Sequence, residues 1–208
     1  MKVKVIAVLF MLMYSIVFGE EPGVKAFAEK GVLTNIQTLF ANAKDKNETK
    51  PGAENVSKLL TSYMVLVSAK GIYSFLEREE NEKFLKDAKA GDYVEIKGKV
   101  LEAGFLVEIE SLSQSKEKSE VVLKTYQDAV GQTVTLDGVN KCQCGLKVGE
   151  LQHSCKLGHL HHLQTEDGKI FHYLEPDKSK DMKMHFKKVK AEFVLFPGNF
   201  IKLKEETK

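Results

Sequence analysis

Two stretches of this sequence repeat one another in the same order, and that duplication limits the fold more than any other feature. Ile72-Tyr73-Ser74-Phe75-Leu76-Glu77 matches Ile170-Phe171-His172-Tyr173-Leu174-Glu175. A charged stretch follows each, then Val94-Glu95-Ile96 in the first copy and Val189-Lys190-Ala191 in the second. Gly104 with Leu106-Val107-Glu108-Ile109 matches Gly198 with Phe200-Ile201-Lys202-Leu203. One shared pair would be chance, but three blocks in register mark a repeated domain.

Each copy reads as strands around one helix. In the second, Thr133 to Cys142 alternates Val134 and Leu136 with polar neighbours, the pattern of a half-buried strand. His159 to Gln164 and Lys169 to Leu174 flank Asp167-Gly168, a hairpin signal that pairs His172 with Leu163 and sets His172 on the face of His161. Asp177 to His185, entered near Pro176, reads as a short helix. Val189 to Phe196 and Phe200 to Lys204 are strands that turn at Pro197-Gly198-Asn199. The first copy supplies Ser62 to Ser68, Ile72 to Leu76, a helix from Arg78 to Ala88, Tyr93 to Leu101 and Phe105 to Ser111. Its first strand is ambiguous, because Gly31 to Phe40 suits strand or helix, and residues 41–55 read as loop. Three strands, a helix and two strands is the order of a five-stranded OB-type barrel. The expectation is a mainly β chain of two tandem OB-like barrels, over residues 20–112 and 133–208. Residues 113–132 between them combine a charged linker with a short helix over Val121 to Val130.

The first residues point to export. Lys2 and Lys4 precede an apolar run from Val5 to Phe18, and Val17 and Gly19 suit a signal-peptidase site. The run is shorter than the roughly 20 residues that span a bilayer, so residues 1–19 read as a cleaved signal peptide with no stable membrane anchor left behind. The protein is then periplasmic or secreted. Of the 31 Lys and Arg residues, Lys2 and Lys4 leave with the signal, so the remainder balance the 29 acids. Arg78 is the only arginine. Nucleic-acid binders carry a basic excess and read phosphate and guanine with arginine, so nucleic acid is set aside as a partner. Asn47-Glu48-Thr49 and Asn55-Val56-Ser57 match the glycosylation acceptor pattern, which matters only in a eukaryotic secretory pathway.

All three cysteines and all six histidines fall within residues 142–185. In order they are Cys142, Cys144, His153, Cys155, His159, His161, His162, His172 and His185. Thiolate and imidazole are the donors that zinc and copper prefer. Cys142 with Cys144, and His159 with His161, fall two residues apart and share a face on an extended strand. The spacing is not a zinc ribbon of paired C-x-x-C motifs, nor the C-x-x-C-H of covalent haem. Met182 and Met184 beside His185 add thioethers suited to Cu(I), although a methionine pair at that spacing also packs a helix. The competing reading is a disulfide between Cys155 and Cys142 or Cys144, since exported chains sit in oxidising compartments. Independently of the cysteines, His161 and His162 also read as an exposed edge strand, and His172 as an ordinary sheet position. Glu77-Arg78-Glu79-Glu80 reads as a solvated helix start. No Ser-His-Asp set, P-loop, Rossmann glycine pattern or catalytic carboxylate pair appears, so no enzyme is indicated.

The stretch from Val134 to Leu174 resembles a group of poorly characterised exported bacterial proteins. They share a strand ending in cysteine, a glycine-containing turn, a histidine and cysteine, and a T-x-D-G hairpin. Those places are Cys142 or Cys144, then His153 and Cys155, then Thr165-Glu166-Asp167-Gly168. The resemblance covers about a fifth of the chain, implies an OB-like barrel and carries no activity with it. Gly158-His159-Leu160-His161-His162 lies outside the shared pattern.

Together these features predict a non-catalytic exported protein that binds zinc or copper. Its core donors are Cys142, Cys144, His153 and Cys155, with His159, His161, His162 and His172 next. The N-terminal barrel, which holds none of them, would be structural or bind a protein partner. The alternatives are a ligand- or protein-binding barrel with a disulfide and no metal, and a haem-handling protein.

Overall fold

Alternating side chains let each half close on itself. The computed structural model describes residues 23–40, 63–76, 78–115, 131–143, 160–174 and 186–204, with positions 123, 126, 146 and 148. The first half holds β1 (Val24–Asn35), α1 (Ile36–Phe40), β2 (Met64–Ser68), β3 (Gly71–Phe75), α2 (Glu79–Leu85), β4 (Tyr93–Leu101) and β5 (Leu106–Gln114). A 3-10 turn at Glu102–Gly104 joins its last two strands. The second half holds β6 (Gln132–Cys142), β7 (His161–Thr165), β8 (Ile170–Tyr173), β9 (Lys188–Phe196) and β10 (Phe200–Leu203).

Both sheets close with one strand order. It is β1-β2-β3-β5-β4 in the first and β6-β7-β8-β10-β9 in the second, closed by β4 on β1 and β9 on β6. In each barrel the third and fifth strands pair in parallel, Ser74 opposite Leu106 and His172 opposite Phe200. This is the OB arrangement, built twice. The repeated sequence blocks occupy equivalent positions, so the duplication is structural.

The ambiguous Gly31 to Phe40 segment is both strand and helix. Asn35 decides the change, because its Oδ1 accepts the Gln37 and Thr38 backbone N–H groups at 2.8 and 3.3 Å and so caps α1. Strand β5 continues through Ser113 and Gln114, which pair with Glu95 and Val94, so the polar tract expected to open the linker begins as strand. The expected helix over Asp177 to His185 lies outside the described residues, as does nearly all of the one over Val121 to Val130.

The barrels are not beads on a string. Phe27, Leu33, Leu66, Phe75, Ile96 and Val107 fill the first barrel, and Leu163, Phe171, Phe193 and Ile201 fill the second. Two further clusters lie between the barrels. In one, Val65, Val67 and Ile72 of the first barrel and Phe40 of α1 meet Leu174, Phe196 and Phe200 of the second. In the other, Leu76, Leu101 and Leu106 of the first meet Ile170 of the second. All five residues of β2 are buried, because one face lines the barrel and the other meets its neighbour.

The contact between barrels is reciprocal. A Cβ on Gly104 would stand 2.9 Å from Ile170 Cβ, and one on Gly198 would stand 2.9 Å from Ile72 Cβ. Gly104 and Gly198 are equivalent positions of the repeat, as are Ile72 and Ile170. Each barrel therefore presses its last turn against the third strand of the other, the self-complementary form of a two-fold contact. OB folds commonly bind oligonucleotides and oligosaccharides on the face of the second and third strands. Here β2–β3 gives part of that face to the partner barrel, and so does β8.

Candidate functional site

The Cys/His-rich stretch divides according to the sheet that carries it. Cys142 and His161 are direct partners across β6 and β7. They follow the parity of Val134, Leu136 and Leu163, which pack in the second barrel's interior. Both are 3 % exposed. The ladder continues one step further, where the Gln143 backbone N–H donates to the Leu160 carbonyl at 2.9 Å. The chain between residues 143 and 160 therefore leaves and returns at one place, beside a thiol and an imidazole.

His162 and His172 fall on the opposite face. They are direct partners across β7 and β8, and His172 follows the parity of Ile170 and Leu174, which meet the first barrel. The expected pairing of His172 with Leu163 is corrected by one residue, since Leu163 pairs with Phe171. The cause is the turn. The Thr165 N–H donates to the Lys169 carbonyl and the Gly168 N–H to the Thr165 carbonyl, each at 3.0 Å. Gly168 sits at φ +84. That is a three-residue hairpin closed by a left-handed glycine rather than a two-residue Asp-Gly turn. One extra loop residue shifts the register by one, and a shift of one moves a side chain to the other face.

The two outer histidines are buried and neutral. His172 Nε2–H donates to the Gly104 carbonyl of the first barrel at 2.7 Å, and its ring lies 5.5 Å from that of Phe200. Burial pushes His172 down to about 4, against a smaller opposing effect of that hydrogen bond. His162 is wholly buried, and neither ring nitrogen has a hydrogen-bond partner among the described residues. Burial pushes it down to about 3, helped by His172, Lys141 and His161. Lys141 is its neighbour on β6, and the lysine Nζ donates to Gln164 Oε1 at 2.7 Å. The exposed edge strand considered for His161 and His162 is not what forms, since both are buried.

The expected donors are thus only partly brought together. Cys142 and His161 adjoin on one face, while His162 and His172 adjoin on the other. Cys144, His153, Cys155 and His159 lie outside the described residues, as does His185. Among the described residues no group of three His, Cys, Asp or Glu could hold a metal ion. A complete donor set on the inner face would have to draw on residues 144–159.

One important residue was misread from sequence. Arg78 does not lie at a solvated helix start; it is 2 % exposed. Its Nη1 donates to Glu108 Oε2 at 2.7 Å and to the Val148 carbonyl at 3.1 Å, and its Nη2 donates to the Leu146 carbonyl at 3.3 Å. Burial raises the Glu108 carboxyl, and the Arg78 cation opposes that rise. The available signal was its solitude: a chain that uses lysine at every other basic position keeps one arginine where a rigid fork is needed.

Comparisons with protein families, with curated proteins and with solved structures find no match to this chain.

Proposed function

We propose that the protein is an exported, non-catalytic binder of zinc or copper whose site is built on the connection between β6 and β7. The supporting observation is the Cys142–His161 pair at the root of that connection. The connection itself carries Cys144, His153, Cys155 and His159. A buried thiol beside a buried imidazole, joined by a stretch with two more of each, fits the donor chemistry of zinc and copper. Cys142, Cys144, His153 and Cys155 would hold the ion, with His159 and His161 as further donors. His162 and His172, on the opposite face, serve the contact between barrels instead. The ion would cross-link the connection, a structural role. The signal-like leader and the resemblance to exported bacterial proteins support a periplasmic or secreted setting.

The test is metal occupancy by native mass spectrometry. The Cys144→Ser/Cys155→Ser double variant should lose the bound ion that the parent retains. Unchanged occupancy in that variant refutes the assignment.

A second reading is a ligand-binding barrel with a disulfide and no metal. It draws on an open groove of about 420 Å³ on the first barrel, walled by Phe27, Tyr73 and Phe105 and edged by Lys70 and Glu29. A thiol count separates the two readings. Metal-stripped, unreduced protein has three reactive thiols under the first and one under the second.

A further inference from the structure

We infer that Arg78 positions the metal-binding connection, so that the first barrel is the template for the second barrel's site. The consequence for metal rests on the function proposed above; the clamp itself does not. Arg78 belongs to the first barrel, just before α2, and spans 68 and 70 residues of sequence to reach the carbonyls of Leu146 and Val148. Those two positions stand at the start of the stretch that carries Cys144, His153, Cys155 and His159. Their side chains pack with Leu76, Leu101, Leu106 and Ile170 between the barrels. One guanidinium therefore joins Glu108 of β5 to two alternate carbonyls of the connection. A planar fork with several donors can do this, and a lysine ammonium cannot reach all three acceptors in fixed directions. A group that orients a ligand-bearing segment without touching the metal commonly changes metal affinity 10- to 100-fold.

Arg78→Lys is the decisive variant, because it keeps a cation for Glu108 and removes the fork. Two readouts are taken, tryptic cleavage after Lys147 in metal-free protein and affinity for added zinc. Cleavage should accelerate about ten-fold or more as the connection is released. Zinc affinity should fall about ten-fold or more. Cleavage after Lys97, within β4, should not change. If cleavage after Lys97 accelerates in step, Arg78 only holds the fold, and the inference is overturned. If Arg78→Lys does not fold, the Arg78→Met/Glu108→Gln pair removes both charges together and should release the same bond. Unchanged cleavage after Lys147 in whichever of these variants folds also overturns it. If the parent protein takes up neither zinc nor copper, the metal reading fails, and cleavage after Lys147 still decides the role of Arg78.

Discussion

Acidification of the metal-stripped protein from pH 7 to pH 4 is expected to remove about 6 kcal/mol of stability through His162 and His172. An unfolded histidine titrates near 6.5. In the folded protein burial pushes His162 down to about 3 and His172 to about 4. Between those values the unfolded chain binds protons that the folded chain refuses, so stability falls as pH falls. Their contribution is complete above pH 6.5 and is lost progressively below it. Among the described residues the titratable groups beside His162 are His172 on β8, Lys141 on β6 and His161 on β7, and all three oppose its protonation. From the first barrel the Gly104 carbonyl meets His172. Glu108, with its raised carboxyl, acts in the other direction and softens the loss. Asp167, lowered to about 2, titrates below this window. Urea denaturation across the pH series measures the effect. The His162→Leu/His172→Gln variant keeps a donor for Gly104 and should flatten the profile. An unflattened profile would show that the acid sensitivity arises elsewhere.

Phe200→Ala is expected to cost about 3–5 kcal/mol, as large aromatic deletions in well-packed cores do. Phe200 is 4 % exposed and lies between the barrels, 6.2 Å from the ring of Phe40 in α1 and 5.5 Å from that of His172. It belongs to the second barrel, yet the cavity opens onto Val65, Val67 and Ile72 of the first. Both barrels should therefore lose stability together, a loss comparable with the 5–15 kcal/mol total of an ordinary domain. Hydrogen exchange read separately on residues 64–75 and 188–203 provides the measurement. Equal loss of protection in both is the expected result. Loss confined to 188–203 would mean that the barrels fold independently and that the clusters between them contribute little.

The sequence revealed the fold through two regularities. Alternation marked most strands, with Tyr93–Leu101 placed to the residue, and the repeated blocks showed that one barrel occurs twice. What it did not reveal depended on long-range contact. Nothing local to Met64–Ser68 says that its second face meets another barrel; an unbroken apolar run is equally a strand buried within one. Arg78 sits among acids at a helix start, and its partners Glu108, Leu146 and Val148 are 30, 68 and 70 residues away. For the site, the sequence supplied Cys142 and His161 as candidate donors, but their adjacency emerged only from the pairing of β6 with β7, which residues 143–160 separate in sequence. The face of His172 was not legible either, because Thr165-Glu166-Asp167-Gly168 accommodates either a two- or a three-residue loop. The choice between them decides which histidine it joins.

Elemental analysis of protein purified from its native source, without added metal, tests the account most directly. Roughly one zinc or copper ion per chain, released when the thiols are alkylated, is the predicted result. Chains that arrive with neither metal, and with two of the three thiols already joined in a disulfide, would contradict it.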